Sequence, residues 1–380
     1  MGKNRGLIFL LIIVQLVLKA EAARDVPWLR VGLSAQPRAV VVDAPGGFKV
    51  TDLTTKHSIS VLEPLIDFTI IPGHNGLKII GEGIWSKKIE IAPLRSEYLL
   101  INSRKYPGTI EIIDEGRKVS LVNTVDIESY VEGVVNFEVS ANWPAAAIES
   151  QAIVARTYAL ANLGRHSRDG YDLCDTIHCQ VYGGWTRESK RSAKIIRQSR
   201  GVIITYQGEA IQAYCHACSG GYTESPENVW NSGQRYPYLC GVWDPYTKSS
   251  PHYDWELKVP LTEIQKLLRE KGYPVGEIYG VRPQRISETG RLIEVKIIHS
   301  KGDLVLNANK FRLLIGRNRF KSTLCKMRLL GDKMVFTGHG WGHGVGFSQW
   351  GAKGMAEKGY KTPEIIRHYF PGTRLEKRWE

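Results

Sequence analysis

Glu138 stands where an apolar residue belongs. Ile127, Tyr130, Val131, Val134 and Val135 recur at i, i+3, i+4, i+7 and i+8, the stripe of an amphipathic helix, and the next position on that stripe is 138. A carboxyl group carried into apolar surroundings is costly to ionise, so its pKa rises. Such a group can hold a proton near neutral pH and act as a general acid. The alternative is a helix-terminal glutamate that reaches solvent or caps the next helix. Glu128, Glu132 and Glu149 fall on polar helix faces and read as solvated charges.

A second chemistry-bearing stretch runs from Gly338 to Ala352, Gly-His-Gly-Trp-Gly-His-Gly-Val-Gly-Phe-Ser-Gln-Trp-Gly-Ala, with glycine at every second position from 338 to 346. In a strand alternate residues face opposite sides. One face then carries His339, Trp341, His343, Val345 and Phe347, and the other is bare backbone. A bare face admits a ligand or a neighbouring chain segment at close range. A substrate groove is one reading, and a tight crossing of two strands with the histidines as core donors is the other.

These residues need elements to hold them. Residues 28 to 125 read as short strands: 38–42, 48–53, 68–71, 77–80, 88–92 and 109–113, divided by Pro-Gly, Asn-Gly and Gly-Gly turns. At Asp126, a natural N-cap, the period changes to helical. Pro144 suits the first turn of a second, alanine-rich helix running to about Leu163 and stopping at Gly164. Strand patterns return at 201–205, 211–214, 292–299 and 303–306, with helices expected over 261–271 and from Thr362 to Tyr369. The expected fold is α+β, a β-rich platform with two packed helices that carry Glu138 and enclose a long groove.

The chain has 380 residues, 43% of them hydrophobic, and a formal charge of +13. Residues 1–22 read as a secretory signal peptide: Lys3 and Arg5, an apolar run from Leu7 to Leu18, then Ala20-Glu21-Ala22. The run has 12 residues, whereas a membrane span takes about 20. Loss of Lys3, Arg5, Lys19 and Glu21 with that segment lowers the charge by two, to +11. The expectation is an exported protein of the cell envelope, without a nucleic-acid partner, whose positive charge favours a polyanion. Six cysteines (Cys174, Cys179, Cys215, Cys218, Cys240 and Cys325) in an oxidising compartment favour disulfides, with 15 possible pairings.

Several segments taken together resemble the SpoIID/LytB family. They are Asp126-Ile-Glu-Ser-Tyr-Val-Glu-Gly-Val-Val-Asn-Phe-Glu138, Trp143-Pro144, Ser150-Gln-Ala-Ile-Val-Ala-Arg-Thr-Tyr-Ala-Leu160, His178-Cys-Gln-Val-Tyr182, His216-Ala-Cys-Ser-Gly-Gly-Tyr-Thr-Glu224 and the glycine–histidine stretch. The match divides the chain into the signal peptide, a β-rich region over 23–120 and a SpoIID/LytB-like domain over 121–375. It implies activity on peptidoglycan glycan strands. Its best-known members are lytic transglycosylases that cut between N-acetylmuramic acid and N-acetylglucosamine, leave a 1,6-anhydro end and favour strands stripped of stem peptides. Other members are described as amidase enhancers. The family's acid matches Glu138, and one group suffices: it protonates the leaving oxygen, then takes the proton of the C6 hydroxyl. A cationic groove would attract the free lactyl carboxylate of stripped strands.

The resemblance also suggests His216, Ser219, Gly220, Tyr222, His339, His343, Ser348 and Gln349 as glycan contacts, each with a purely structural hydrogen bond as the alternative. No cofactor is needed for the chemistry, but some relatives hold zinc in the segment from His166 to Cys179. His166, Cys174 and Cys179 are the candidate ligands. A Cys174–Cys179 disulfide, or pairing of these two with Cys215 and Cys218 through zinc or disulfides, is the alternative.

Overall fold

The computed structural model describes residues 25–62, 68–80, 83–187, 189–230 and 233–380. The signal-peptide segment, 1–22, lies outside the described residues.

The fold is mixed α+β. A seven-stranded sheet has the order Leu173–Cys174, Trp28–Leu33, Val119–Asp126, Thr109–Asp114, Lys88–Pro93, Phe48–Asp52 and Ser58–Val61. Its pairs are antiparallel except the first. A six-stranded antiparallel sheet (104–107, 98–101, 40–43, 68–72, 77–79, 83–84) covers it. Alternation explains the pairing of these layers: in Lys88–Pro93, Ile89 and Ile91 point inward and are fully buried. Each such side chain contributes about 1.5–3 kcal/mol by leaving water.

Among the described residues eight helices follow, here α1 (Ile127–Glu138), α2 (Ala145–Ala161), α3 (Lys190–Gln198), α4 (Pro226–Trp230), α5 (Leu261–Glu270), α6 (Ala308–Ile315), α7 (Gln349–Glu357) and α8 (Thr362–Tyr369). α1, α2, α5 and α8 stand within a few residues of their expected bounds. The sequence reading missed α3, α4, α6 and α7, and 211–214 is not a strand.

Two hydrophobic cores organise these elements. One joins both large sheets to α1, α2, α8 and the C-terminal Trp379. The other gathers residues from Trp255 to Phe336, on α5, α6 and two three-stranded sheets. α1 grows directly out of the Val119–Asp126 strand. The Asp126 carboxylate accepts the amides of Glu128 and Ser129 at 3.0 and 3.1 Å.

The stripe is buried as expected, but the opposite face is not solvated. Glu128 and Glu132 are both buried. Glu128 accepts two bonds from the fully buried Arg156 of α2, at 3.0 and 2.7 Å, and others from the Gly201 amide and the Trp379 indole. Glu132 accepts from Arg197 of α3. α1 is packed on this face too, so Glu128 and Glu132 are paired with arginines rather than solvated.

The glycine-rich stretch is not a strand either. The strand Lys333–His339 stops at its edge, and Gly340, Gly342, Gly344 and Gly346 take φ values of +78, +123, +85 and +70°. A Cβ on Gly340 would come within 2.5 Å of the Cys218 carbonyl, and one on Gly346 within 2.4 Å of the Tyr214 carbonyl. The close approach is therefore by a neighbouring segment, 214–220, and not along a bare strand face. Alternation fails with it: His339 and His343 leave in different directions.

Candidate active site

α1 delivers Glu138 to a cleft of about 590 Å³. Glu138, Gln180, Val181, Tyr214 and His216 line one part of it. The segment from Asn309 to Arg317, on and after α6, supplies the facing wall. Glu138 is half-buried. Burial pushes its carboxyl pKa up, opposed by hydrogen bonds from Gln349 and the Val181 amide that favour the ionised form. Gln349 donates its Nε2–H to Glu138 at 2.7 Å.

Local pairing explains why Gln349 is there. Cys215–His216 and Phe347–Ser348 run parallel and in register. Ser348 caps α7 by accepting the Gly351 amide, so Gln349 is that helix's first residue. Among the described residues lining the cleft, Glu138 is the sole carboxylate.

His216 and His343 both line the cleft, with ring centroids 5.4 Å apart. Burial drives the His216 pKa well below its ordinary value, so the ring is neutral. Its Nδ1 lies 3.1 Å from the Val345 carbonyl, which can only accept, so Nδ1 carries the proton. Nε2 is then a buried acceptor without a partner. His343 has the opposite tautomer: its Nδ1 accepts the Val345 amide at 3.0 Å. Burial holds its pKa at about 3.

The other proposed glycan contacts lie elsewhere. Ser219 and Ser348 are fully buried. The Ser219 hydroxyl donates to Asp244 at 2.7 Å, and Ser348 Oγ accepts the Ser219 amide at 3.2 Å. Neither has an atom free for a ligand; they hold the turn. Gly220 packs on the backbone of His339. His339 itself pairs with Asp254 at 2.7 Å, and its ring lies tilted against Tyr253, with centroids 5.2 Å apart. Tyr222 is exposed and bridges Trp243. None of these lines the cleft. The sequence reading missed Gln180, Asn309, Arg312 and Arg317. The one signal for α6 was Asn307 before Ala308, an N-cap whose side chain accepts the Lys310 amide.

Next to the cleft, four potential metal ligands converge: His166, Cys174, His178 and Cys179, with ligating atoms all within 4.8 Å of one another. His178 joins the three expected residues. Its Nδ1 lies 3.1 Å from His166 Nε2 and 3.8 and 3.7 Å from the sulfurs of Cys174 and Cys179. A tetrahedral ion with metal–nitrogen bonds near 2.0 Å and metal–sulfur bonds near 2.3 Å spaces its donors by about 3.3–3.8 Å, so this set fits one. The Asp169 carboxylate lies 2.9 Å from His166 Nδ1 and orients the ring with Nε2 inward. All six cysteines are free thiols. Cys215 sits beside Gln151 and Cys218 bridges Trp341, so neither joins the cluster.

With this geometry in view, the comparisons with known proteins decide the family. Residues 115–206 match the family described as "Stage II sporulation protein" (SpoIID), and 243–346 match a domain of unknown function (DUF8618). Stage II sporulation protein D of Bacillus subtilis is 30% identical over 274 residues, covering 67% of this chain and 76% of that protein. The chain belongs to the SpoIID family. An uncharacterized protein of Brachyspira hyodysenteriae is 28% identical over 91% of this chain and 92% of its own length. The Amidase enhancer of Bacillus subtilis is 27% identical over 64% of this chain and 40% of that longer protein. The SpoIID match spans α1, α2 and the four metal-ligand candidates, while the second match spans the Asn309–Arg317 wall. No helix among the described residues is long and apolar enough to cross a membrane.

Proposed function

We propose that this SpoIID-family chain is an exported lytic transglycosylase of peptidoglycan. It cleaves the bond between N-acetylmuramic acid and N-acetylglucosamine, on strands stripped of stem peptides, and leaves 1,6-anhydro-N-acetylmuramic ends. The observation that carries this reading is a single, half-buried carboxyl group, Glu138, with no second carboxylate among the described residues lining the cleft. Most hydrolytic glycosidases use two carboxylates, one to protonate and one to activate water or attack. One acid is enough when the nucleophile is the sugar's own C6 hydroxyl. Glu138 gives its proton to the glycosidic oxygen as the bond from C1 breaks. The C6 oxygen then bonds to C1, and the Glu138 carboxylate takes the proton that the hydroxyl sheds. The enzyme ends as it began.

Gln349 orients the carboxyl, and His216 lines the cleft beside it. His343 lines the same wall. Because the Gln349 bond favours the ionised form, Gln349→Leu is expected to raise the Glu138 pKa further. The high-pH fall of the rate, where Glu138 loses its proton, then moves to higher pH. The pH profile of product release tests this; a profile unmoved in position would deny Gln349 that role.

The geometry of His166, Cys174, His178 and Cys179 suits structural zinc. The ion would fix the segment that carries Gln180 and Val181 beside Glu138, and no chemical step needs it. Purified protein is expected to hold one zinc per chain by elemental analysis. Stripping it should cost on the order of 4 kcal/mol, the linkage expected for a ligand at a thousandfold excess over its Kd. A metal-free protein of unchanged stability would contradict the assignment.

A second reading has one observation behind it, the Amidase enhancer relative. In that reading the cleft binds glycan without cutting it, and a partner amidase is accelerated. Incubation with peptide-stripped strands, and separately with intact wall plus an amidase, separates the two. Released glycan fragments without amidase support the transglycosylase. A faster amidase with no fragments supports the enhancer.

A further inference from the structure

Three guanidinium groups line the cleft: Arg165, Arg312 and Arg317. Among the described residues, none of them lies within ion-pairing distance of a carboxylate. Arg165 donates to the Tyr158 hydroxyl and the Asn162 side chain at 3.3 and 3.2 Å. Arg312 is nine-tenths buried and donates to the Lys321 carbonyl at 3.0 Å and to Asn309 at 3.3 Å. That uses two of its five N–H donors. Arg317 is exposed, and its carbonyl accepts the Trp341 indole.

Behind this wall sits Arg291, fully buried, with Nε and Nη1 unpartnered. Burial and the neighbouring Arg291 and Arg317 pull the Arg312 pKa down to about 10. Buried charge is ordinarily paired, because leaving it unpaired is costly. Among the described residues lining the cleft, Glu138 is the single carboxylate facing these three guanidinium groups. Among its described lining residues the cleft thus carries three guanidinium groups against one carboxylate, an excess of positive charge.

We infer that Arg312 and Arg317, aided by Arg165, form a carboxylate-binding subsite that reads the free lactyl group of peptide-stripped muramic acid. This gives the 243–346 segment a role: it supplies the wall that selects the substrate, while α1 supplies the acid. The inference rests on the glycan reading proposed above. A guanidinium pairs with a carboxylate through two parallel N–H bonds, which an amide-linked peptide or a neutral amide cannot match.

The test is binding rather than cleavage. Calorimetry on the Glu138→Gln protein would compare a stripped glycan tetrasaccharide with the same oligomer converted to its carboxamide. The free acid is expected to bind at least about tenfold more tightly, as a charge-assisted pair is worth about twice a neutral one. Adding Arg317→Gln together with Arg312→Gln should bring the ratio close to one without abolishing binding of the carboxamide. Because Arg312 is buried, Arg317→Gln and Arg165→Gln, both at exposed positions, are tested singly as well. Each should lower the ratio at unchanged thermal stability.

Equal binding of acid and carboxamide overturns the subsite and leaves the glycan reading standing. So does a preference for the acid that survives all the arginine replacements. Failure to bind either oligomer overturns the glycan reading and the subsite with it.

Discussion

Glu138→Gln is expected to lower the rate of glycan cleavage by about 10²–10⁴-fold, the usual contribution of a positioned acid–base group, while leaving the fold intact. The loss should fall on kcat, since glutamine keeps the shape of the side chain and its contact with Gln349 but cannot give up a proton. Stability carries an independent signature. The folded protein holds the Glu138 pKa above its unfolded value, near 4.3, so it favours the protonated form. That contribution is present below the unfolded pKa and is lost as pH rises through the folded one. Glutamine mimics the neutral form at every pH. The variant should therefore be at least as stable as the parent at pH 8, by urea midpoint, and its advantage should shrink at pH 4. A variant that loses activity and is destabilised at pH 8 would mark Glu138 as a structural residue.

Arg156→Met should produce the largest stability loss of any single change near the site. Arg156 is fully buried, and its three donor groups serve Glu128 and the Val202 carbonyl, at 2.9 Å for the last. Removing it strands a buried carboxylate that also holds the Gly201 amide and the Trp379 indole. Breaking a buried pair in this way costs about 3–5 kcal/mol. The consequence reaches the cleft, because Glu128 and Glu138 share α1 and the pair locks α1 to α2 and to the C-terminal tryptophan. Urea unfolding of the variant measures the cost. A loss under about 1 kcal/mol, the range of an exposed ion pair, would show that solvent reaches Glu128.

What could be read from the sequence was local. The cap at Asp126 and the stripe behind it lie within 12 residues, so α1 and the odd carboxylate at its end were legible. So were His166, Cys174 and Cys179, which lie within one short segment. The buried state of Glu128 was not, because its partners are 28, 73 and 251 residues away. The alternating glycines misled for a different reason. A period of two is the mark of a strand, but glycine also takes positive φ freely, and four of them do so here. Composition cannot separate these uses. Ser219 shares a motif with the cleft-lining His216, and Ser348 with the cleft-lining His343, yet both serines are fully buried, so motif membership did not predict access to the cleft. Arg312 and Arg317 were illegible because the cleft's far wall comes from a segment with its own core, about 170 residues beyond Glu138.

Mass spectrometry of the soluble products from peptide-stripped strands tests the central claim most directly. The account predicts fragments ending in 1,6-anhydro-N-acetylmuramic acid, formed by the parent protein and not by Glu138→Gln. Fragments with reducing ends would contradict it, since they require a water nucleophile, which most glycosidases activate with a second carboxylate that is not among the described residues lining the cleft.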